Sequence, residues 1–274
     1  AFDMTVSDSK DLRLREAGIV VLDCLMEVTD ELYPDRRTLI AKHLKRVIAI
    51  DKYSLDQSSG FLKAAALSLG RFSRIANTSE IDMLQDDFVV TCTTWLHDQK
   101  SECHRFASVT LLTEFALNSP SIIHNKRKNI FSNLFNVLCD KSSIVREAAG
   151  VCLRVSLQIV SQRESIVEYV RAALNQVDAG FLSNAPERVL GSLVILGVLV
   201  DSLVISSSEL VQIINTKSAA RATAGSKPHA VVADMIWRVL QRRDSKELEI
   251  RKKTVEILPK LAGSFSVAFV AQNP

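Results

Sequence analysis

The chain is poor in the residues that break helices. Of its 274 residues only 9 are glycine and 6 are proline, so long helices meet few interruptions. It also lacks a surplus of one charge. Thirty-four basic residues stand against 31 acidic ones, a net of +3, and that balance argues against a dedicated nucleic-acid grip. No Cys-x-x-Cys pair is present. The five cysteines (Cys24, Cys92, Cys103, Cys139, Cys152) are scattered through apolar helical patterns. They read as reduced, buried thiols of a cytosolic protein rather than zinc ligands or a disulfide framework. No apolar run is long enough to span a bilayer. The longest, Val189 to Ile205, is broken by Gly191, Ser192, Gly197, Asp201 and Ser202 and falls short of the roughly 20 residues required. The start, Ala1-Phe2-Asp3-Met4, has neither an initiating Met nor the basic stretch of a signal peptide. The chain is therefore read as a piece cut from a longer one. Nucleotide and catalytic signatures are missing too: no P-loop, no GxGxxG, no HExxH and no GxSxG, so no enzyme chemistry and no cofactor is expected.

What the sequence does have is a recurring motif. An Asp, a short turn and a basic residue opening a new helix occur at Asp8/Arg15, Asp56/Lys63, Asp98/Arg105, Asp140/Arg146, Asp178/Arg188 and Asp244/Arg251. The basic anchors follow one another at 48, 42, 41, 42 and 63 residues. A period of about 40–47 residues with two helices per period marks a HEAT-type repeat. The expected fold is all-α, an α-α superhelix of about five to six helix pairs, with 1–274 forming one solenoid.

The expected helices are 12–29, 35–50, 58–77, 81–97, 102–118, 121–139, 143–161, 164–182, 186–205, 229–243 and 247–262. Ser101, Ser142 and Ser245 stand at N-cap positions. Pro34, Pro120 and Pro186 stand in first turns, where a missing N–H is harmless. The helices pair as A and B, each B helix carrying an anchor. Seven residues beyond the anchors lie Leu22, Gly70, Leu112, Leu153, Ile195 and Leu258, an apolar stripe expected to form the seam between B helices. Gly70 breaks it and raises a one-residue slip in register. The stretch 206–229 is small, polar, basic and aperiodic, so it is read as a flexible insertion that accounts for the 63-residue interval.

Most site readings fall to simpler ones. His97, Cys103 and His104 cluster around a turn, but three groups fall short of a metal's four ligands. Trp95 and Trp237 sit among apolar neighbours and read as packing anchors. The Asp and Arg residues of the repeat (Asp56, Asp98, Arg105, Asp140, Arg146, Arg188, Asp244, Arg251) are expected to hydrogen-bond within and between repeats as a structural ladder. The run Lys126-Arg127-Lys128 is first a wet helix face. It is also the candidate rim of a partner-binding ridge, because the A helices hold the richer exposed charge.

The stretch Cys139 to Arg154 with Ser161 to Glu164, the stretch Glu187 to Leu196, the segment Ile257 to Ala262 with Phe265 and Phe269, and the stretch Lys63 to Phe72 together resemble the N-terminal HEAT region of the TOR (target of rapamycin) protein kinases. They keep their order and cover most of the chain. The resemblance implies a parent serine/threonine kinase that governs growth in response to nutrients, in dimeric complexes with a Raptor-like or Rictor-like companion. It also implies a cytoplasmic protein recruited to lysosomal, vacuolar or other endomembrane surfaces through its complex. The kinase and rapamycin-binding regions of such a parent lie elsewhere, and no family catalytic residue maps onto this chain. The alternative is a HEAT adaptor of another class, serving transport, a phosphatase or a DNA-damage kinase relative.

Overall fold

A computed structural model describes residues 11–29, 33–201, 237, 239–241 and 246–272, the last of these with side chains to Gly263. The described residues are helical and carry no strand. They divide into two compact units, Ala1–Val137 and Leu138–Pro274. The expected insertion at 206–229, and Asp8 and Asp244, lie outside the described residues.

The first unit opens with α1 (Leu12–Val28), α2 (Pro34–Ile48) and α3 (Leu55–Ile75). A composite element follows: α4 (Thr78–Met83), a π-helical turn (Leu84–Val89) and α5 (Val90–Trp95). It closes with α6 (Glu102–Asn118) and α7 (Pro120–Val137). The helices sort into two layers. The B helices α1, α3 and α6 pack side by side, with α2 against α3 and both α5 and α7 against α6. Helix starts follow capping chemistry. The Asp11 carboxylate accepts from the Arg13 N–H at 3.0 Å. Asn77 and Glu80 form a reciprocal capping box that starts α4 three residues before the expected position. The Ser101 hydroxyl accepts from the His104 N–H at 3.0 Å. Leu22, Leu69, Phe72, Leu112 and Phe115 are fully buried in the seam, which is where most of the hydrophobic driving force lies.

Leu69 and Phe72 carry the stripe of α3, one residue out of the expected register, and Gly70 is buried beside them against α6. A Cβ on it would stand 2.8 Å from both the Glu114 Cβ and the Asn118 Nδ2. Glycine stands there because α3 and α6 approach too closely for any side chain.

The second unit holds α8 (Ser143–Ser161), α9 (Val167–Phe181), α10 (Pro186–Asp201) and α11 (Glu247–Gln272). α10 is central, in contact with α8, α9 and α11. Ten of its 16 residues are buried, which accounts for the longest apolar run in the sequence. α11 runs ten residues past its expected end, and through Pro259. Its buried face is Ile250, Thr254, Ile257 and Leu261, while Leu258 is exposed, so the expected stripe is one residue out of register here. Trp237 is 60% exposed rather than a packing anchor, and Cys24 is exposed rather than buried. Among the described residues, no helix is long and apolar enough to cross a membrane.

Candidate functional site

In the first unit the A layer is bound together by charge. Arg37 of α2 donates to the Glu80 carboxylate of α4 at 3.1 Å, both side chains being buried. Burial of a lone charge is costly, so each of these requires the other. Glu80 also accepts from the Asn77 N–H at 2.8 Å, so one carboxylate starts α4 and fastens it to α2. Next along the layer, Lys45 reaches Asp87 at 2.5 Å and lies over the Phe88 ring, while Lys126 of α7 reaches Asp86 at 3.3 Å. The two aspartates are neighbours in the π turn and serve opposite neighbours. In an α-helix residues i and i+5 diverge by roughly 140°, whereas the i→i+5 bond of a π turn brings them to one side. Leu84, Phe88 and Val89 are therefore all buried, and Asp86 and Asp87 stay outside.

The residues of the basic run fare differently. Lys126 has its ion pair, Arg127 donates to the carbonyl of His124 at 2.8 Å, and Lys128 is exposed. Arg36 lies over the Tyr33 ring, with Lys42 and Arg46 exposed along the same helix. The sequence reading missed the acidic partners, yet a signal existed. Arg37–Glu80, Lys45–Asp87, Lys126–Asp86 and Arg71–Asp23 join residues 43, 42, 40 and 48 apart, and Arg154–Asp201 in the second unit joins residues 47 apart. Opposite charges one repeat period apart are neighbours on adjacent like helices.

The anchors divide by helical phase. Arg15, Arg105 and Arg146 are each the fourth residue of their helix, and all three are buried. From there Arg105 donates to the carbonyls of Asp98 and Ser101 at 2.5 and 3.0 Å. Arg146 donates to those of Asp140 and Lys141 at 2.8 and 3.1 Å and pairs with Glu249 of α11. Arg15 lies over the Tyr53 ring. The aspartates act on their own turns: Asp98 accepts from the N–H groups of Lys100 and Ser101, and Asp140 from that of Ser142. Arg146 thus meets Asp140 through its carbonyl rather than its carboxylate. Arg188 is the third residue of α10 and exposed, and Arg251 is the fifth of α11, paired with Glu247. Lys63 is the ninth of α3 and lies over Phe106, with Asp56 exposed near the start of that helix. Asp178 is half-buried near the end of α9.

Around the turn before α6 the histidines and cysteine diverge. His97 meets Asn133 at 2.6 Å; His104 meets Asp98 and the Ala49 carbonyl and stacks on Trp95. Cys103 meets Ser58 and the Tyr53 carbonyl. The His104 hydrogen bond and the turn N–H groups hold the Asp98 carboxyl below its usual range, and burial pushes the Cys103 thiol up. Among the described residues, no group of three His, Cys, Asp or Glu is placed to hold a metal ion.

No family model matches the chain. Individual proteins do. Serine/threonine-protein kinase tor1 of Schizosaccharomyces pombe is 27% identical over 188 residues, 68% of this chain and 8% of its own length. Serine/threonine-protein kinase mTor of Drosophila melanogaster is 25% identical over 161 residues, 59% of this chain and 6% of its own. Serine/threonine-protein kinase TOR of Oryza sativa subsp. japonica is 24% identical over 221 residues, 80% of this chain and 8% of its own. This chain is a TOR-related segment. It spans less than a tenth of the length of these relatives.

The second unit of the TOR-related segment contains a groove of about 240 Å3 along its B helices. Val194, Gly197 and Val198 of α10 and Ile257 of α11 supply apolar lining. At one end Lys253 pairs with Glu147 at 2.8 Å and with Glu256 at 3.4 Å. At the other, Asp201 pairs with Lys260 at 2.6 Å and with Arg154 at 3.4 Å. Burial works against the Lys253 ammonium, but the two glutamates outweigh it and hold its pKa above the usual lysine range.

Proposed function

We propose that this segment is a non-catalytic docking arm of a TOR-type serine/threonine kinase, and that it holds a Raptor-like or Rictor-like companion subunit. The observation that carries this is architectural: stacked helix pairs, matched over most of their length to kinases of which they make up less than a tenth. Stacked pairs offer extended surface. Phosphoryl transfer needs a loop that cradles phosphates and carboxylates that hold magnesium, and neither motif occurs in the sequence.

The ridge of A helices in the first unit is the proposed contact, with Lys126, Arg127 and Lys128 at its rim. Lys128 is free to meet an acidic partner, and Lys126 is only loosely committed, since exposed ion pairs contribute about 0–1 kcal/mol. Rim charges orient partners and speed encounter more than they add affinity. The test is charge reversal of all three residues in the full-length kinase, with Lys128→Glu alone as the variant that leaves internal contacts intact. Recovery of the companion in pull-down is expected to fall severalfold at low salt, with its salt dependence flattened. Unchanged recovery and unchanged salt dependence would remove this ridge from the interface.

A further inference from the structure

The outer face of α2 carries charge that its neighbours leave unanswered. Elsewhere in the A layer of the first unit, Arg37 pairs with Glu80, Lys45 with Asp87 and Lys126 with Asp86. Asp35, Lys42 and Arg46 of α2 are exposed, and none of them has an ion pair among the described residues. Leu39 stands between them and is 60% exposed. Asp35, Leu39, Lys42 and Arg46 follow one another at four, three and four residues, so they form a single stripe along the helix. The helix dipole accounts for an Asp in the first turn and an Arg in the last. It does not account for Leu39, an aliphatic side chain held in water between charges. At the flank of the stripe Arg36 lies over the Tyr33 ring, which is exposed as well. The exposed positions of α7 make the contrast: Asn125, Lys128, Asn129, Ser132 and Asn136 include no aliphatic residue.

We infer that this stripe docks an acidic amphipathic helix of a partner protein, laid antiparallel on α2. Paired helices share one rise per residue, so the partner repeats the spacing in reverse order. It carries Glu at i and i+4 for Arg46 and Lys42, Leu at i+7 over Leu39, and Lys at i+11 for Asp35. These four positions lie within about 60° of one another around a helix. The dipole sets the direction, because acidic residues at the partner's N-terminal end and a basic one at its C-terminal end are both favourable there. A flat anionic membrane fits less well. It would press on Asp35 within the stripe and on the exposed Asp86 next along the layer, whereas a single helix answers Asp35 with a cation and stops short of Asp86. The inference rests on the A layer being a docking ridge, and it names the chemistry of what docks there.

The probe is a fluorescent alanine-based peptide of roughly 18 residues, long enough for helix to form, with Glu, Glu, Leu and Lys at those positions. Binding to the 274-residue chain is read by anisotropy. At low salt the matched peptide is expected to bind about tenfold tighter than one with Lys in place of both Glu, a difference of about 1.4 kcal/mol. The reversed order Lys, Leu, Glu, Glu, which fits only a parallel helix, is expected to bind about threefold more weakly. Lys42→Glu with Arg46→Glu changes two exposed side chains and is expected to reject the matched peptide and accept the one with Lys in place of both Glu. Leu39→Ser is expected to weaken binding severalfold. No binding up to millimolar peptide, equal binding of either control peptide, or indifference to these variants would overturn the inference. So would binding of the chain to phosphatidylserine vesicles, lost in Lys42→Glu with Arg46→Glu, when the peptide does not bind. In pull-down from the full-length kinase, a companion released by Lys128→Glu but not by the α2 pair would remove α2 and leave the ridge standing; release by neither would remove both.

Discussion

Arg146 ties together a turn and two helices. Its guanidinium closes the turn before α8 through the Asp140 and Lys141 carbonyls and reaches α11 through Glu249. Arg146→Ala removes a donor from both carbonyls, leaving that of Lys141 the Lys246 ammonium at 3.4 Å, and a loss of about 1–3 kcal/mol is expected in chemical denaturation. Lys141→Ala, at an exposed side chain, should stay within about 0.5 kcal/mol of wild type. Glu114 gives a test with the opposite sign. Burial raises its carboxyl above the usual range, against the pull of Arg71 and Asn118. A raised carboxyl favours the folded state while protonated, so its contribution is present below the unfolded pKa and lost as pH rises through the folded one. Glu114→Gln removes that loss. Its melting temperature should exceed wild type at neutral pH, and the gap should close as pH falls into the carboxylate range. A gap that widens on acidification would contradict the assignment. At this scale the sequence was partly readable. The anchors Arg15, Arg105 and Arg146 stand out in it as a recurring basic residue, but Lys63, Arg188 and Arg251 look the same. What separates them is whether the residue is fourth in its helix. One residue is about 100° of rotation, and a spacing pattern near 42 does not resolve it.

Among elements, α3 and α6 approach closely at Gly70. Gly70→Ala drives a methyl into Glu114 and Asn118, and overpacking of this kind typically costs about 1–3 kcal/mol. Gly60→Ala lies on the same helix, where a Cβ would come no nearer than 3.9 Å to the Glu16 carboxylate. It should be neutral or stabilising, since alanine is the better helix former. Urea melts of the two variants side by side check the contrast, and equal behaviour would mean that α3 and α6 are not so close. Helix positions were legible because their starts carry local signals: Ser101, Pro120 and Pro186 mark boundaries within a residue or two. The start of α4 under Asn77 and the passage of α11 through Pro259 were not. The first depends on a carboxylate, Glu80, whose place is fixed by Arg37 in another helix. The second shows that a proline deprives a helix of one hydrogen bond without ending it when the flanking turns are packed.

For the whole molecule, period and composition reveal an all-helical repeat, since both are sums over many residues and single errors average out. The candidate surfaces were less legible. Counting basic residues pointed to Lys126, Arg127 and Lys128, but whether a charge faces solvent depends on what lies one repeat away, and Asp86 lies there. The groove in the second unit gave no local signal at all, because its two ends draw on α8, α10 and α11 together.

The π turn at Leu84–Val89 also bears on how this repeat tolerates changes in length. It absorbs one residue more than an α-helix of the same span would use, and so keeps its two flanks in phase. A chain with one of the two aspartates deleted would close this stretch into a regular α-helix, and Leu84 and Val89, then four residues apart, would still share its buried face. One carboxylate would be left for Lys45 and Lys126 together, and the charged strap across the A layer would lose a link without the core losing its register.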